Sequence, residues 1–276
     1  MDFVLGDFRL AMLISKYIEK ANINATLAVV ADLHDTCCGE VLSMLKEISP
    51  DLILAPGDIF ERHQGKGGNG IPAEKSFMTK LLTDTAGWVD GKMKKIGRGV
   101  EMVPSNGYEF LIGANKIAPV IMSIGNHDVP FQDEDMEMIE KSGTILLDNA
   151  DTSITVNGGK ILLGGLSTYP DYDWLNAFSE KKGYKILLSH HPEYYLNDIK
   201  ENENDTFDLI VSGHTHGGQW HVLGNNWYAP GQGMFPKYTR GRFGKLIISA
   251  GVANTVSIPR FGNPCEIVVI SLREES

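Results

Sequence analysis

At 276 residues, with 42% hydrophobic and 22% charged side chains, the chain has the length and balance of a globular protein of one large or two small domains around a sizeable core. A net charge of −10 at pH 7 argues against a nucleic-acid partner, because wrapping a polyanion rests on Lys and Arg neutralising its phosphates. Cys37, Cys38 and Cys265 outline no disulfide framework, and no secretory leader or run of eighteen apolar residues is visible. The expectation is a cytoplasmic protein, membrane-associated only if an anchor precedes Met1.

Taken in order, Leu10, Leu13, Ile14, Tyr17 and Ile18 fall at helical spacing and predict an amphipathic helix over about 8–20, within a lead-in segment 1–24. The apolar run from Thr26 is closed by Asp32 and His34. A helical stretch from Glu40 to Ile48 follows, then the run from Leu52 closed by Gly57 and Asp58. Strand, helix, strand with acids at the strand ends is the grammar of an α/β protein, whose ligands gather at the carboxyl ends of strands.

Residues 62–118 read as an insert, with helices predicted over 73–93 and 106–116. Its run Gly65 to Gly70 matches G-x-G-x-x-G, but Ile71-Pro72 stands where a helix would have to open, so it reads as a loop. Lys92, Lys94, Lys95 and Arg98 read as a solvated basic face. Order returns with the run from Val120, closed by Gly125-Asn126-His127-Asp128. An acidic surface helix over 132–140 comes next, then short strands at 144–147, 153–156 and 160–166, with Asn157-Gly158 as a hairpin turn. A helix over 172–182 precedes the run Tyr184 to Ser189, which meets His190-His191-Pro192. The run Asp208 to Val211 meets Gly213-His214-Thr215-His216, and strands are predicted at 245–249 and 266–271.

Five apolar runs thus end in metal-capable residues, and six of the eight histidines lie in or beside those ends. One acid or imidazole at a strand end is commonplace as a cap or turn residue. Recurrence at five ends points to a shared metal site. Asp32-Leu-His34, Gly57-Asp58, Gly125-Asn-His-Asp128, His190 and Gly213-His-Thr-His216 together resemble the D-x-H, G-D, G-N-H-D, H and G-H-x-H pattern of the calcineurin-like metallophosphoesterase family, over about Thr26 to Leu272. Within it, the stretches Gly213 to Gln219 and Arg260 to Ile267 are most similar to a bacterial branch of small phosphodiesterases typified by YkuE and YaeI.

The resemblance implies a single domain over 1–276, folded as a four-layer αββα sandwich with two mixed β-sheets. It implies two metal ions, one held by Asp32, His34, Asp58 and His216 and the other by Asp58, Asn126, His190 and His214, with Asp58 bridging. His191 rivals His190, which is favoured because it directly follows the strand. Carboxylate, amide and imidazole without thiolate suit Mn, Fe or Zn. The implied activity is hydrolysis of a small phosphorylated substrate, a phosphodiester in preference, by a metal-bridging hydroxide, with His127 assisting the leaving group and Asp128 orienting its ring. A nucleotide-lipid pyrophosphate hydrolase is an alternative. So is a non-catalytic module retaining the fold, which loss of a ligand would mark; none is missing. Arg240, Arg242 and Arg260 are candidates for a further phosphate oxygen, and Cys37 and Cys38, near the metals in the loop after His34, read as packing.

Overall fold

The computed structural model describes residues 12–62, 106–131, 133–200, 205–222, 225–229, 232–254 and 260–274. Its strands are β1 (Leu13–Lys20), β2 (Ala25–Val29), β3 (Leu52–Pro56), β4 (Val120–Ser123), β5 (Ile145–Leu147), β6 (Ala150–Val156), β7 (Gly159–Leu166), β8 (Tyr184–Ser189) and β9 (Leu209–Ser212). The two-residue pairs β10 (His221–Val222) with β11 (Asn225–Asn226) and β12 (Tyr228–Ala229) with β13 (Gly233–Met234) follow. Then come β14 (Gly241–Phe243), β15 (Leu246–Ile248) and β16 (Glu266–Arg273). The helices are α1 (Gly39–Ile48), α2 (Asn106–Asn115), α3 (Asp133–Ser142), α4 (Tyr172–Ser179) and the short α5 (Pro192–Tyr194), which runs into a π turn over Tyr195–Ile199.

Two six-stranded sheets form, in the orders β1-β16-β2-β3-β4-β5 and β14-β15-β9-β8-β7-β6. In the first, β2 to β5 run parallel and β16 is antiparallel to β2; in the second, β7, β8, β9 and β15 run parallel, with β6 and β14 antiparallel at the edges. Side chains alternate faces along a strand, so near-continuous apolar strands must be covered on both sides. Leu27, Val29, Leu54 and Ile121 of the first sheet pack between the sheets on Ile161, Leu163, Ile186, Leu188, Leu209 and Val211 of the second. The opposite face of the first sheet (Ala28, Ile53, Val120, Met122) is covered by Val41 and Leu45 of α1, Phe110 and Leu111 of α2 and Ile139 of α3. Leu175 and Phe178 of α4, with Tyr195 and Ile199, cover Leu162, Leu187 and Ile210 of the second sheet. Each fully buried Leu, Ile or Val contributes about 1.5–3 kcal/mol, and the four layers follow from having two apolar faces per sheet.

The lead-in differs from its helical reading. Residues 13–20 form β1, paired in parallel with all eight residues of β16. Leu13, Ile14 and Ile18 are exposed while Ser15, Tyr17 and Glu19 turn inward. At an edge strand the backbone ladder outweighs a side-chain pattern that suits either period. The predicted helix over 73–93, the Gly65 to Gly70 run and the basic cluster lie outside the described residues; the last helix of the insert is α2, which packs against α1 and α3. All three cysteines are free, with Cys38 buried against α1 and Cys37 exposed. Among the described residues no helix is long and apolar enough to cross a membrane.

Candidate metal centre

The expected donors converge just beyond β2, β3, β4, β8 and β9, and five of them adopt left-handed backbone: Asp32 (φ 55°), His34 (49°), Asp58 (54°), His214 (71°) and His216 (47°). Residues with a Cβ avoid this region, so such a concentration stores strain that only the surrounding packing holds in place. The packing is close. A Cβ on Gly125 would lie 2.2 Å from Asp58 Oδ1, and one on Gly251, itself at φ 75°, would lie 2.6 Å from Asp32 Oδ2.

The donors fall into two groups. Asp32, His34 and His216 bring one donor atom each within 4.8 Å of one another, and so do Asp58, His190 and His214. Asp58 lies between the groups, its Oδ2 3.6 Å from His34 Nε2 and 3.0 Å from His190 Nε2. Its Oδ1 accepts from the backbone N–H of His127 (2.8 Å), and Asp32 Oδ1 accepts from that of His214 (3.0 Å). Four buried atoms, Asp32 Oδ2, His34 Nε2, Asn126 Oδ1 and His190 Nε2, make no hydrogen bond; the His190 approach to Asp58 is close but misaligned. A buried polar atom without a partner costs about 1–3 kcal/mol. Four at one place, all oxygen or imidazole nitrogen, fit divalent cations as their partners.

An outer layer holds the imidazoles in orientation. Nδ1 of His190 donates to the Pro56 carbonyl (2.9 Å), and Nδ1 of His34 donates to Glu61 Oε2 (2.9 Å), so in each ring Nε2 is directed to the centre. Glu61 Oε1 accepts from Nδ1 of His127, also at 2.9 Å. The loop carrying Glu61 is clamped in turn. Its N–H donates to Asp35 Oδ2 (2.9 Å), and Arg62 pairs with Asp35 (2.9 Å) and Asp135 (2.8 Å). Behind His216, Arg260 Nη2 approaches Nδ1 (3.2 Å), and Asn263 Nδ2 donates to the carbonyl (2.6 Å).

Charge is distributed unevenly. Burial would raise Asp58, but His190 and His34 hold it well below the usual carboxylate range. Burial would lower His190, yet Asp58 and Asp32 raise it to about 9. Burial, helped by neighbouring imidazoles, depresses His214 and His216 far enough to keep them neutral with lone pairs available. Glu61 falls to about 2 despite burial, through its bonds to His127 and His34; the same contact raises His127 against its own burial.

A profile described as calcineurin-like phosphoesterase matches residues 25–218, the span that holds every one of these donors. The chain belongs to the calcineurin-like phosphoesterase family. It is 28% identical to the protein YpbG of Bacillus subtilis over 56% of this chain and 58% of that one, and 32% identical to the metallophosphoesterase YkoQ of the same organism over 35% and 37%. It thus spans little more than half the length of these relatives at most. Among solved structures, the sulfate thiohydrolase SoxB of Thermus thermophilus aligns with 90% of this chain and 56% of its own at 16% identity and a TM-score of 0.43.

In this calcineurin-like phosphoesterase the expected residues are brought together, but two assignments change. Asp128 does not serve as the acceptor for the His127 ring. Its Oδ2 accepts from the N–H groups of Asp58 (2.8 Å) and Gly125 (2.7 Å) and its Oδ1 from Phe60 (2.9 Å), so it fastens two ligand loops together. Burial and the nearby Asp58 carboxylate raise Asp128 to about 7, against the pull of those N–H groups. The three arginines are engaged by the protein itself: Arg240 pairs with Glu266, Arg242 with Glu19 (2.7 Å), and Arg260 lies buried beneath His216. His191 stands one step outward, in a group with Glu193 and His214, its Nε2 3.0 Å from Thr168 Oγ1. Glu61, Gly251 and Asn263 were missed from the sequence. For Glu61 a signal existed, since it lies three residues beyond Asp58 in the same loop.

Proposed function

We propose that the chain is a dinuclear metal-dependent phosphoester hydrolase that acts on a small phosphodiester. The observation that carries this reading is the meeting of two donor groups at Asp58, with four buried donor atoms otherwise unmatched. Asp32, His34, Asp58 and His216 would hold one ion, and Asp58, Asn126, His190 and His214 the other, as Mn, Fe or Zn. Bound there, the ions supply Lewis-acid polarisation of the phosphoryl group and a water acidic enough to ionise near neutral pH.

The chain's own residues do the rest. His127 is an imidazole of the cluster with a side chain 32% exposed, and Glu61 stabilises its protonated form. Its Nε2 would pass a proton to the departing oxygen as the P–O bond breaks. Preference for a diester is supported by charge. A monoester carries about 1.5–2 negative charges at pH 7 and a diester one, and none of Arg240, Arg242 and Arg260 is left to balance the excess.

The test compares bis-p-nitrophenyl phosphate with p-nitrophenyl phosphate, using metal-stripped protein resupplied with Mn and Asp58→Asn as control. Metal-dependent cleavage of the diester, absent from the variant, is expected. No cleavage of either compound by protein shown to bind two Mn per chain would overturn the reading.

A further inference from the structure

Four large aromatic side chains in the chain beyond His216 stay exposed: Trp220 (42%), Trp227 (41%), Phe235 (66%) and Phe261 (64%). They are far apart in sequence, and main-chain pairing lines them up. Trp220 and Phe261 form a parallel bridge. The register of β10 with β11, His221 opposite Asn226, extends outward to place Trp220 opposite Trp227, and the N–H of Trp227 donates to the Trp220 carbonyl (3.0 Å). The register of β12 with β13, Tyr228 opposite Met234, likewise places Trp227 opposite Phe235, whose N–H donates to the Trp227 carbonyl (3.0 Å). Phe235 stands just past the end of this pairing, in left-handed backbone (φ 54°). Phe261, Trp220, Trp227 and Phe235 therefore follow one another across neighbouring hydrogen-bonded segments as an aromatic row. The rings of Trp227 and Phe235 lie 5.8 Å apart.

The row is joined to the metal centre through the backbone. Trp220 lies four residues beyond His216, and the neighbouring His221 ring bonds the Gly217 carbonyl (2.8 Å). Phe261 follows Arg260, whose guanidinium meets His216. The sequence that carries these aromatics is also unlike the rest of the chain in charge. A protein of net charge −10 has no Asp or Glu anywhere from residue 209 to 265. Lys237 lies two residues beyond Phe235, its ammonium over the Tyr238 ring (5.3 Å).

We propose that this row is a peripheral docking surface for a lipid bilayer containing anionic phospholipid, which holds the mouth of the metal centre against the headgroups. Exposed Trp and Phe on neighbouring segments suit the headgroup boundary, where amphipathic and apolar rings are buried. A segment without carboxylates lets lipid phosphates approach a protein that is otherwise acidic. The docking surface stands independently of the hydrolase reading; only its orientation toward lipid-borne phosphoesters rests on that reading.

The test is flotation of the protein with vesicles of phosphatidylcholine, alone and mixed with phosphatidylglycerol. Wild type is expected to float with the mixed vesicles. Combined Trp227→Ser and Phe235→Ser should reduce binding roughly tenfold or more, given the apolar area removed. Met136→Ser, which removes an equally exposed side chain on α3, should float like wild type. On unmodified protein, brominated phosphatidylcholine in the mixed vesicles should quench tryptophan emission, a readout that needs no variant to fold. Failure of wild type to float, flotation of the double variant at the wild-type level, or absence of quenching would each overturn the proposal. So would a wild-type dimer in solution that the double variant turns into a monomer, because a second copy would then cover the row. Loss of hydrolysis leaves the flotation result standing, and absence of flotation leaves the hydrolase reading standing.

Discussion

Replacing Glu61 by Gln separates the two carboxylates near His127. The Glu61 oxygens accept one N–H each from His34 and His127, both at 2.9 Å. An amide of the same shape offers one acceptor, so one imidazole loses its partner. A hydrogen bond to a charged group is worth about 1.5–3 kcal/mol, less here because the Glu61 side chain is 19% exposed. The expected loss of fold stability is about 1 kcal/mol, or roughly 2–4 °C in melting temperature for a chain of this size. Loosening His34 should cost more in metal affinity, about 10–100-fold. Asp128→Asn should do the reverse. Three N–H groups converge on the fully buried Asp128 carboxylate, and an amide turns its NH2 toward at least one of them, at a cost of about 2–3 kcal/mol. Calorimetric titration of metal-stripped protein with Mn, beside thermal melts, reads both effects. If Glu61→Gln bound Mn like wild type, or melted below Asp128→Asn, the division between a carboxylate that orients ligands and one that ties loops would be refuted.

The acid side of the stability curve should carry the Glu61 contribution. Its folded pKa of about 2 lies below the unfolded value, so the stabilisation is present above about pH 4.5 and is lost as pH falls toward 2; in Glu61→Gln, melts from pH 6 to 3 should show a shallower decline. Mn affinity should rise with pH, because His190, held protonated up to about 9 by Asp58 and Asp32 against its burial, must release that proton to bind. A flat affinity between pH 6 and 8, with no proton release in buffers of different ionisation enthalpy, would contradict this. Gly251→Ala, whose Cβ would meet Asp32 Oδ2 at 2.6 Å, should lower metal affinity by displacing that carboxylate; an affinity equal to wild type counts against Asp32 as a ligand. Asp171→Ala should cost about 1 kcal/mol by removing the cap that accepts from the N–H groups of Asp173 and Trp174, with Mn affinity unchanged.

What the amino-acid sequence determined by itself was local. Apolar runs such as Leu52–Pro56 and Tyr184–Ser189 are buried along nearly their whole length, so they read as strands whatever pairs with them. The polar residues closing them stand out because a strand end is where the chain can turn such side chains into a shared space. Asp32, His34, Asp58, Asn126, His190, His214 and His216 stand out as candidate donors in this way. Residues 13–20 do not stand out as a strand, because an edge strand with one face in solvent carries a pattern compatible with a helix, and only the backbone of β16 decides between them. Glu61, not singled out in the sequence, holds the role expected of Asp128 for a similar reason. Adjacency in sequence put Asp128 beside His127, whereas the left-handed backbone at Asp58 and the fold of its loop turned Asp128 onto three N–H groups and brought Glu61 to the ring. The aromatic row is a product of the tertiary structure entirely. Trp220, Trp227, Phe235 and Phe261 share no spacing, and they become neighbours because backbone pairing between separate segments brings them together.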